Sequence, residues 1–156
     1  MKRFAQRAGG AFFAMSVLAA PAVAEDLVDG SDPAVIENIA SGYGSSSLTA
    51  DDYGDPMIEG RINGLLYYVF FYGCEENKNC TAIQFSATFE KPEIDLAVVN
   101  EWNDNKRFGT AALEKDGDVS LQYDLNLAHG VSRANLDDTF DYWRTVLGEF
   151  KDHLGW

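Results

Sequence analysis

The sequence predicts an α+β domain built as a two-layer sandwich, in which helices pack on one face of an antiparallel sheet. Two hairpin signals, interpreted independently, place the same set of apolar side chains on one face of that sheet. Three other segments carry apolar residues at helical spacing. Short hairpin connections make neighbouring strands antiparallel, and the predicted order of elements is α-β-β-β-α-β-β-α.

The first helix is predicted to begin at Asp32-Pro33, because Asp is a favoured N-cap and Pro is favoured at the first helical position. Residues 25–31 before it form a polar lead-in, and residues 42–47 after it, rich in glycine and serine, predict a loop. The apolar residues that follow at helical spacing are Ile36, Ile39, Ala40 and Tyr43.

Two hairpins predict the centre of the sheet, a three-stranded meander over residues 57–89. Asn63-Gly64 between apolar residues is the strongest short hairpin signal. A polar loop at residues 74–80 joins the next two apolar runs and predicts the second hairpin. A one-residue slip in either hairpin would move its side chains to the other face, so their agreement supports the register. The predicted core face carries Ile58, Ile62, Leu65, Tyr67, Val69, Phe71, Ile83, Phe85, Ala87 and Phe89.

The opposite face of the meander is predicted to be free, and it carries the strongest functional hint, Tyr68, Phe70 and Tyr72. Aromatic side chains bury large areas at low entropy cost and are enriched at protein interfaces. The alternatives are that the lead-in covers this face or that the rings only pack across strands. The other residues on this face are Glu59, Arg61, Leu66, Gln84, Ser86 and Thr88.

A second helix is predicted from Lys91-Pro92 to residues 103–105. Its apolar stripe consists of Ile94, Ala97, Val98 and Trp102. Two strands are expected at residues 110–114 and 119–126, joined by a turn at Lys115-Asp116-Gly117-Asp118.

A loop that opens at His129-Gly130 leads into the last helix, which is predicted from about Arg133 to Leu154. Steps of three and four between its apolar residues are typical of an amphipathic helix, which we expect to cover the core face. The stripe consists of Leu136, Phe140, Trp143, Leu147, Phe150 and Leu154.

Residues 1–24 predict a cleavable signal peptide, with a basic start, an apolar run and the small-x-small pattern Ala22-Val23-Ala24. The apolar run covers residues 11–20, about half of the ~20 residues that a membrane-spanning helix needs, so a transmembrane anchor is the weaker alternative. Cleavage leaves one domain, residues 25–156. We expect it in the periplasm, without insertion into the membrane.

The chain is acidic, with 25 Asp and Glu against 12 Lys and Arg and a net charge of −13. This balance excludes a general nucleic-acid binder, which needs a basic surface to meet phosphates, and disfavours binding to an anionic membrane. Hydrophobic residues make up 46% of the chain, which excludes a disordered protein.

Cys74 and Cys80 are the only cysteines, and an even count in an oxidising compartment predicts a disulfide. A metal site is one alternative, but neither His129 nor His153, the only histidines, has ligand spacing to the cysteines. A redox-active pair is the other alternative, although the Cys-x-x-Cys spacing is absent.

No pattern in the sequence predicts a catalytic site, a cofactor or a metal site. The two histidines are the only candidate bases of the usual kind, and neither belongs to a recognisable triad. Carboxylate pairs could serve a glycosidase, but 25 acidic residues produce many such pairs by chance. Asp51, Asp52 and Asp55 lack the spacing of a calcium-binding EF-hand, so we interpret them as solvated loop charge.

Taken in order, several segments make the chain resemble the YbjN family, which is described as bacterial sensory transduction regulators. The resemblance implies a fold similar to that of type III secretion chaperones, small acidic α/β sandwiches that often dimerise, and it implies no catalytic site or cofactor. The segments are Gly54-Asp55-Pro56-Met57-Ile58, the two-cysteine hairpin from Tyr72 to Cys80, Ile83-Gln84-Phe85, Asn100-Glu101-Trp102-Asn103, Arg107-Phe108, the turn at 116–118, Gly130-Val131-Ser132 and the closing helix.

Trp102, Asn103, Arg107 and Phe108 look like the Trp-Asn…Arg-Phe signature of that family. The interpretation we favour is structural: the two rings pack in the core, while Asn103 and Arg107 bind backbone carbonyls at the helix end. The alternative is that these residues contact a ligand.

The functional hypothesis is a non-enzymatic exported regulatory domain that binds a protein or peptide partner, with chaperone-like action and a homodimer as further expectations. The alternative is an envelope sensor domain that binds a small ligand. A closed apolar pocket between helix and sheet would favour the ligand. A flat aromatic sheet face would favour the protein partner.

The exported protein is expected to begin at Glu25, because Ala22-Val23-Ala24 fits the signal-peptidase pattern. Intact-mass analysis of a periplasmic extract measures this directly. Recovery of the uncut chain starting at Met1 would contradict the prediction.

Overall fold

The computed structural model describes residues 27–90 and 94–156, so the predicted signal peptide lies outside the described residues. Within them the predicted α+β class is confirmed, with three helices and an antiparallel sheet. The elements are β1 (Leu27–Val28), α1 (Pro33–Ala40), β2 (Ser45–Ala50), β3 (Pro56–Ile62), β4 (Leu65–Tyr72), β5 (Ala82–Phe89), α2 (Leu96–Asn105), β6 (Thr110–Leu113), β7 (Val119–Asn126), β8 (Val131–Ser132) and α3 (Arg133–Leu154).

Six strands form one antiparallel sheet in the order β2-β3-β4-β5-β7-β6, and β1 pairs with β8 in a separate two-stranded sheet. The meander predicted over residues 57–89 is confirmed in its register. Ile62 pairs with Leu65 across the Asn-Gly turn, and Phe71 pairs with Ile83 across the disulfide hairpin. Within the described residues, no helix is long and apolar enough to cross a membrane.

The core lies between the sheet and α3, as predicted. Every residue of the predicted core face is buried except Leu65, which is half-buried. All six apolar residues predicted on α3 are buried as well. Phe85 stands at the centre, with its ring edge-on to Phe140 at 4.9 Å and tilted against Trp143 at 5.5 Å between centroids. Ring pairs of this kind add specific geometry to the burial of apolar area.

Gly60 lies in the middle of β3 because the Tyr67 ring occupies the space that a side chain at this position would fill. An added Cβ there would lie 2.5 Å from Cζ of the buried Tyr67 ring on β4. Glycine inside a strand often marks such a close approach. Burial, followed by the charge of Glu37, raises the pKa of Tyr67 to about 12.

The serine-rich stretch after α1 is a strand, so the predicted loop at residues 42–47 is wrong over its second half. β2 pairs along its whole length with β3, from Ser45 opposite Arg61 to Ala50 opposite Pro56. Serine has weak β propensity, but pairing with a formed neighbour overrides it at the edge of a sheet. Ser46 Oγ also donates to Glu37 Oε1 at 2.6 Å, which ties β2 to α1.

Two further strands, β1 and β8, were not predicted. The lead-in contributes Leu27–Val28, and the loop opened by His129-Gly130 closes on Val131–Ser132, which pairs with it. Val28 is buried. Two-residue strands are too short to show an alternating pattern, so periodicity cannot predict them.

The second helix differs from its prediction at its start. The predicted start at Lys91-Pro92 falls outside the described residues, and α2 begins at Leu96 after Asp95, whose side chain accepts from Ala97 N at 2.9 Å. Val99 and Trp102 are its buried residues, whereas Ala97, predicted in the stripe, is exposed in the first turn.

Gly60→Ala is expected to destabilise the protein by about 1–3 kcal/mol, because the new methyl group overlaps the Tyr67 ring. The matched control is Gly148→Ala in α3, where an added Cβ meets nothing within 4 Å. Alanine is the better helix former, so this variant should gain roughly 0.5–1 kcal/mol. Urea unfolding of both variants measures the two effects, and a loss of stability in Gly148→Ala or none in Gly60→Ala would contradict the packing described here.

Candidate functional site

The sheet face opposite the core carries a row of apolar side chains, which we call the aromatic band: Met57, Leu66, Tyr68, Phe70 and Tyr72. Met57 joins it because it pairs with Phe70 across β3 and β4. The Tyr68 and Phe70 rings lie 5.8 Å apart and are half-buried, while Tyr72 is 48% exposed. The three residues predicted as a partner surface therefore lie together on one face.

The strands on one side of β4 carry polar side chains on this face. β5 contributes Gln84, Ser86 and Thr88, and its neighbour β7 contributes Asp124, which accepts from Gln84 Nε2 at 2.9 Å. The band is thus an apolar stripe inside a polar surface. This pattern matches the apolar centre and polar rim of many protein interfaces.

The described part of the lead-in pairs with other segments, and this pairing does not place it over the band. Leu27 and Val28 pair with β8, and Gly30 O accepts from Cys80 N at 3.2 Å. The segment therefore runs beside β8 and the disulfide hairpin.

An acidic loop, residues 51–55, connects β2 to β3 at the Tyr72 end of the band. Asp51 Oδ1 accepts from Tyr53 N at 2.9 Å and from Asp55 N at 3.0 Å, which shapes the turn. The loop and the band enclose a surface depression of about 350 Å³. Its lining residues are Asp51, Asp52, Tyr53, Asp55, Phe70, Phe71 and Tyr72.

The predicted disulfide between Cys74 and Cys80 is confirmed, and its hairpin supports the acidic loop. Asn77, at the tip of the hairpin, donates through Nδ2 to Asp55 Oδ1 at 2.8 Å and to Tyr53 O at 3.3 Å. Its φ of 62° is left-handed, a conformation that Asn adopts more readily than most residues. The closed hairpin therefore holds an amide against the loop that borders the band.

Carboxylates face the band from two sides. The pKa of Tyr72 is raised, first by burial and then by the negative charges of Asp124 on β7 and Asp51 in the acidic loop. The phenol at this end of the band is therefore partly desolvated and lies in a negative field.

The Trp102 and Asn103 side chains join α2 to the outer strand β6. Trp102 is buried and donates through Nε1 to Gly109 O at 2.8 Å. Asn103 Nδ2 donates to Ala111 O, and Asn103 Oδ1 accepts from Ala111 N, each at 2.9 Å. We expected Asn103 to bind carbonyls at the helix end; it binds the outward-facing backbone of β6 instead, because that edge strand has no further strand to pair with.

The second half of the signature makes ring contacts. Cζ of Arg107 lies 5.9 Å from the centroid of the Phe108 ring. This ring contact differs from the expected contact with backbone carbonyls at the helix end. Phe108 is half-buried, packed edge-on against Tyr123 and tilted against Tyr142. The contacts of all four signature residues described here are internal to the domain.

The described residues offer little for metal or acid–base chemistry. No group of three or more His, Cys, Asp or Glu in them is arranged to hold a metal ion. His153 Nε2 lies 2.9 Å from Val98 O and its ring packs on Trp102, so it links α3 to α2. His129 is exposed in the turn after β7.

A second depression, of about 260 Å³, opens at the other end of the band. It is bordered by the Asn-Gly turn and by Trp156, whose Nε1 donates to Glu90 O at 3.3 Å. Both depressions lie at the surface, and neither is enclosed between α3 and the sheet.

The aromatic band can be predicted from the sequence, but the contact between Asn77 and the acidic loop beside it cannot. The sequence suggests only solvated loop charge for Asp51, Asp52 and Asp55, and the contact between Asn77 and Asp55 joins residues 22 apart in sequence. The only available signal was an Asn inside a short polar hairpin, a residue that favours left-handed backbone.

Comparison with known proteins gives one family. The YbjN family model, described as "Putative bacterial sensory transduction regulator", matches residues 32–156. No curated protein matches the chain.

Asn77→Gly is expected to loosen the acidic loop, because it keeps the left-handed backbone but removes the amide that binds Asp55. Hydrogen exchange at the amides of Tyr53, Gly54 and Asp55 should quicken while global stability falls by less than about 1 kcal/mol. Asn79→Gly is the control, because its φ of 51° is also left-handed and its side chain does not bind the loop. Equal exchange in both variants would contradict the support described here.

Proposed function

The chain belongs to the YbjN family, and from this we propose that it is a non-enzymatic regulatory domain that works by binding a protein or peptide partner in the cell envelope. The aromatic band is the proposed contact surface. The single observation that carries the proposal is this apolar stripe, placed on the sheet face that the helices leave uncovered.

The core of the domain is built from side chains that are not part of the band. The core face already buries Tyr67, Val69 and Phe71 from the same strand against α3 and its neighbours. Leaving Tyr72 about half exposed costs hydrophobic free energy, since apolar area contributes about 25 cal/mol per Å² when it is removed from water. A partner that covers the band recovers that free energy, which supports a binding role.

The shape of this face favours a protein partner. The band is open and extended along β4, and small-molecule sites are usually deep clefts that bury most of the ligand. A small ligand is the second candidate, because the depression of about 350 Å³ beside the acidic loop falls in the volume range of roughly 300–1,000 Å³ typical of such sites.

Export and processing belong to the same proposal. The pattern in residues 1–24 supports secretion to the periplasm, and the Cys74–Cys80 bond suits an oxidising compartment. The domain would then work as residues 25–156. The acidic net charge supports a partner other than nucleic acid.

Phe70→Ser is expected to weaken association with the partner by about 1–3 kcal/mol while the fold stays cooperative, because it removes the central ring of the band. Phe85→Ala is the matched comparison on the core face, and it should cost about 3–5 kcal/mol of stability. Thermal melts give stability. Sedimentation reports self-association, and recovery of envelope proteins on the immobilised chain reports the partner.

Self-association that depends on Phe70 would identify the partner as a second copy of the chain. If Phe70→Ser collapses the fold while Phe85→Ala does not, the two faces are assigned the wrong way round. Association that is unchanged in a folded Phe70→Ser variant would exclude the band as the contact surface.

A further inference from the structure

Resting on the proposed function, we propose a chemical class for the partner: an extended segment that carries Arg or Lys next to apolar residues. The apolar side chains lie on the aromatic band, and one cationic side chain enters the depression bordered by the acidic loop. The charges around the band carry this inference.

The band has an acidic end and a basic end. Asp51, Asp52 and Asp55 lie at the Tyr72 end, where the depression joins loop and band. The opposite end holds Arg61, which donates through Nη1 to Gly64 O at 3.2 Å. Of the strand residues described on this face, Arg61 is the only cation.

Further carboxylates border the middle of the band. Glu59 pairs with Tyr68 across β3 and β4, and Asp124 lies on β7 near enough to act on the phenol of Tyr72. A cleft lined by one sign of charge attracts oppositely charged groups and speeds their association. The excess of carboxylates therefore selects a basic segment over a neutral or acidic one.

The depression also offers aromatic surface for the cation. Tyr53, 88% exposed, lines it together with Phe70 and Tyr72. A guanidinium or ammonium group over an aromatic face gains about 0.5–1 kcal/mol at exposed sites, and Arg can bind a carboxylate in the same pose. The depression therefore offers both kinds of group that stabilise a cationic side chain, aromatic rings and carboxylates.

The loop is organised before the partner arrives. Asp51 and Asp55 use Oδ1 for hydrogen bonds within the domain, which leaves Oδ2 of each without a partner among the described residues. Asn77 holds the loop against the disulfide hairpin. A site that is already ordered binds with a smaller entropy cost.

The same charges argue against a second copy of the chain at this end of the band. Two copies packed with their bands parallel would bring their acidic loops together, and like charges placed opposite one another cost free energy. In an antiparallel pair each loop of three Asp would meet a single Arg61, so carboxylates stay in excess in that arrangement too. The basic segment is therefore the occupant we commit to, and a homodimer is an outcome that the test can reveal.

The test selects peptides from a random displayed library on the purified full-length chain and measures their affinity by titration calorimetry. The selected peptides should be enriched in Arg and Lys next to aromatic or aliphatic residues, and their affinity should fall as sodium chloride is raised. Asp52→Lys should weaken their binding roughly fivefold, because it reverses an exposed charge that does not shape the loop.

Asp104→Lys is the control, because it makes the same change at an exposed position of α2, in the helical layer. Asp104→Lys should leave the affinity of the peptides unchanged, and Phe70→Ser should weaken the binding of every selected peptide. One contrary result is that the selected peptides bind through Phe70 and yet are neutral or acidic, and another is that they are insensitive to Asp52→Lys. Either result would contradict the inference of a basic segment but would leave the proposed binding function standing. A selection that yields no peptide dependent on Phe70 would overturn both.

Discussion

The alternation of side chains along β4 couples the buried core to the opposite face of the sheet. Successive residues of a strand point to opposite faces, so burying Tyr67, Val69 and Phe71 forces Tyr68, Phe70 and Tyr72 onto the other face. The Asn-Gly turn fixes the register on one side and the disulfide hairpin fixes it on the other. A band of rings outside the core is therefore a direct consequence of the pairing that builds the core.

Much of the fold could be predicted because its signals are local. The turn at Asn63-Gly64 and the stripe of α3 each specify their own element, and they agree with one another. β2 could not be predicted because its serine-rich sequence becomes a strand only by pairing with β3. The candidate site also has a predictable part and an unpredictable part. Periodicity predicts the aromatic band, whereas the Asn77 contact with Asp55 depends on how two loops that are distant in sequence meet.

Stability and the binding that we propose involve different parts of one sheet. On the β6 side, Asn103 satisfies both backbone groups of Ala111, which closes an edge that could otherwise pair with another chain. At the Tyr72 end of the band, the disulfide hairpin and the acidic loop support each other and leave the rings accessible. The signature Trp102 and Asn103 thus stabilise the domain, and the aromatic band stays available for the partner that we propose.

One face of the sheet is core, and we propose that the other is a contact surface. Hydroxyl-radical footprinting of the dilute purified chain and of the chain in its native envelope extract distinguishes the two faces. Phe70 and Tyr72 should be oxidised in the purified chain and protected in the extract, while Phe71 and Phe85 should stay unreactive in both. Equal oxidation of Phe70 and Tyr72 in the two samples, or faster oxidation of Phe85 than of Phe70, would contradict this assignment of the two faces.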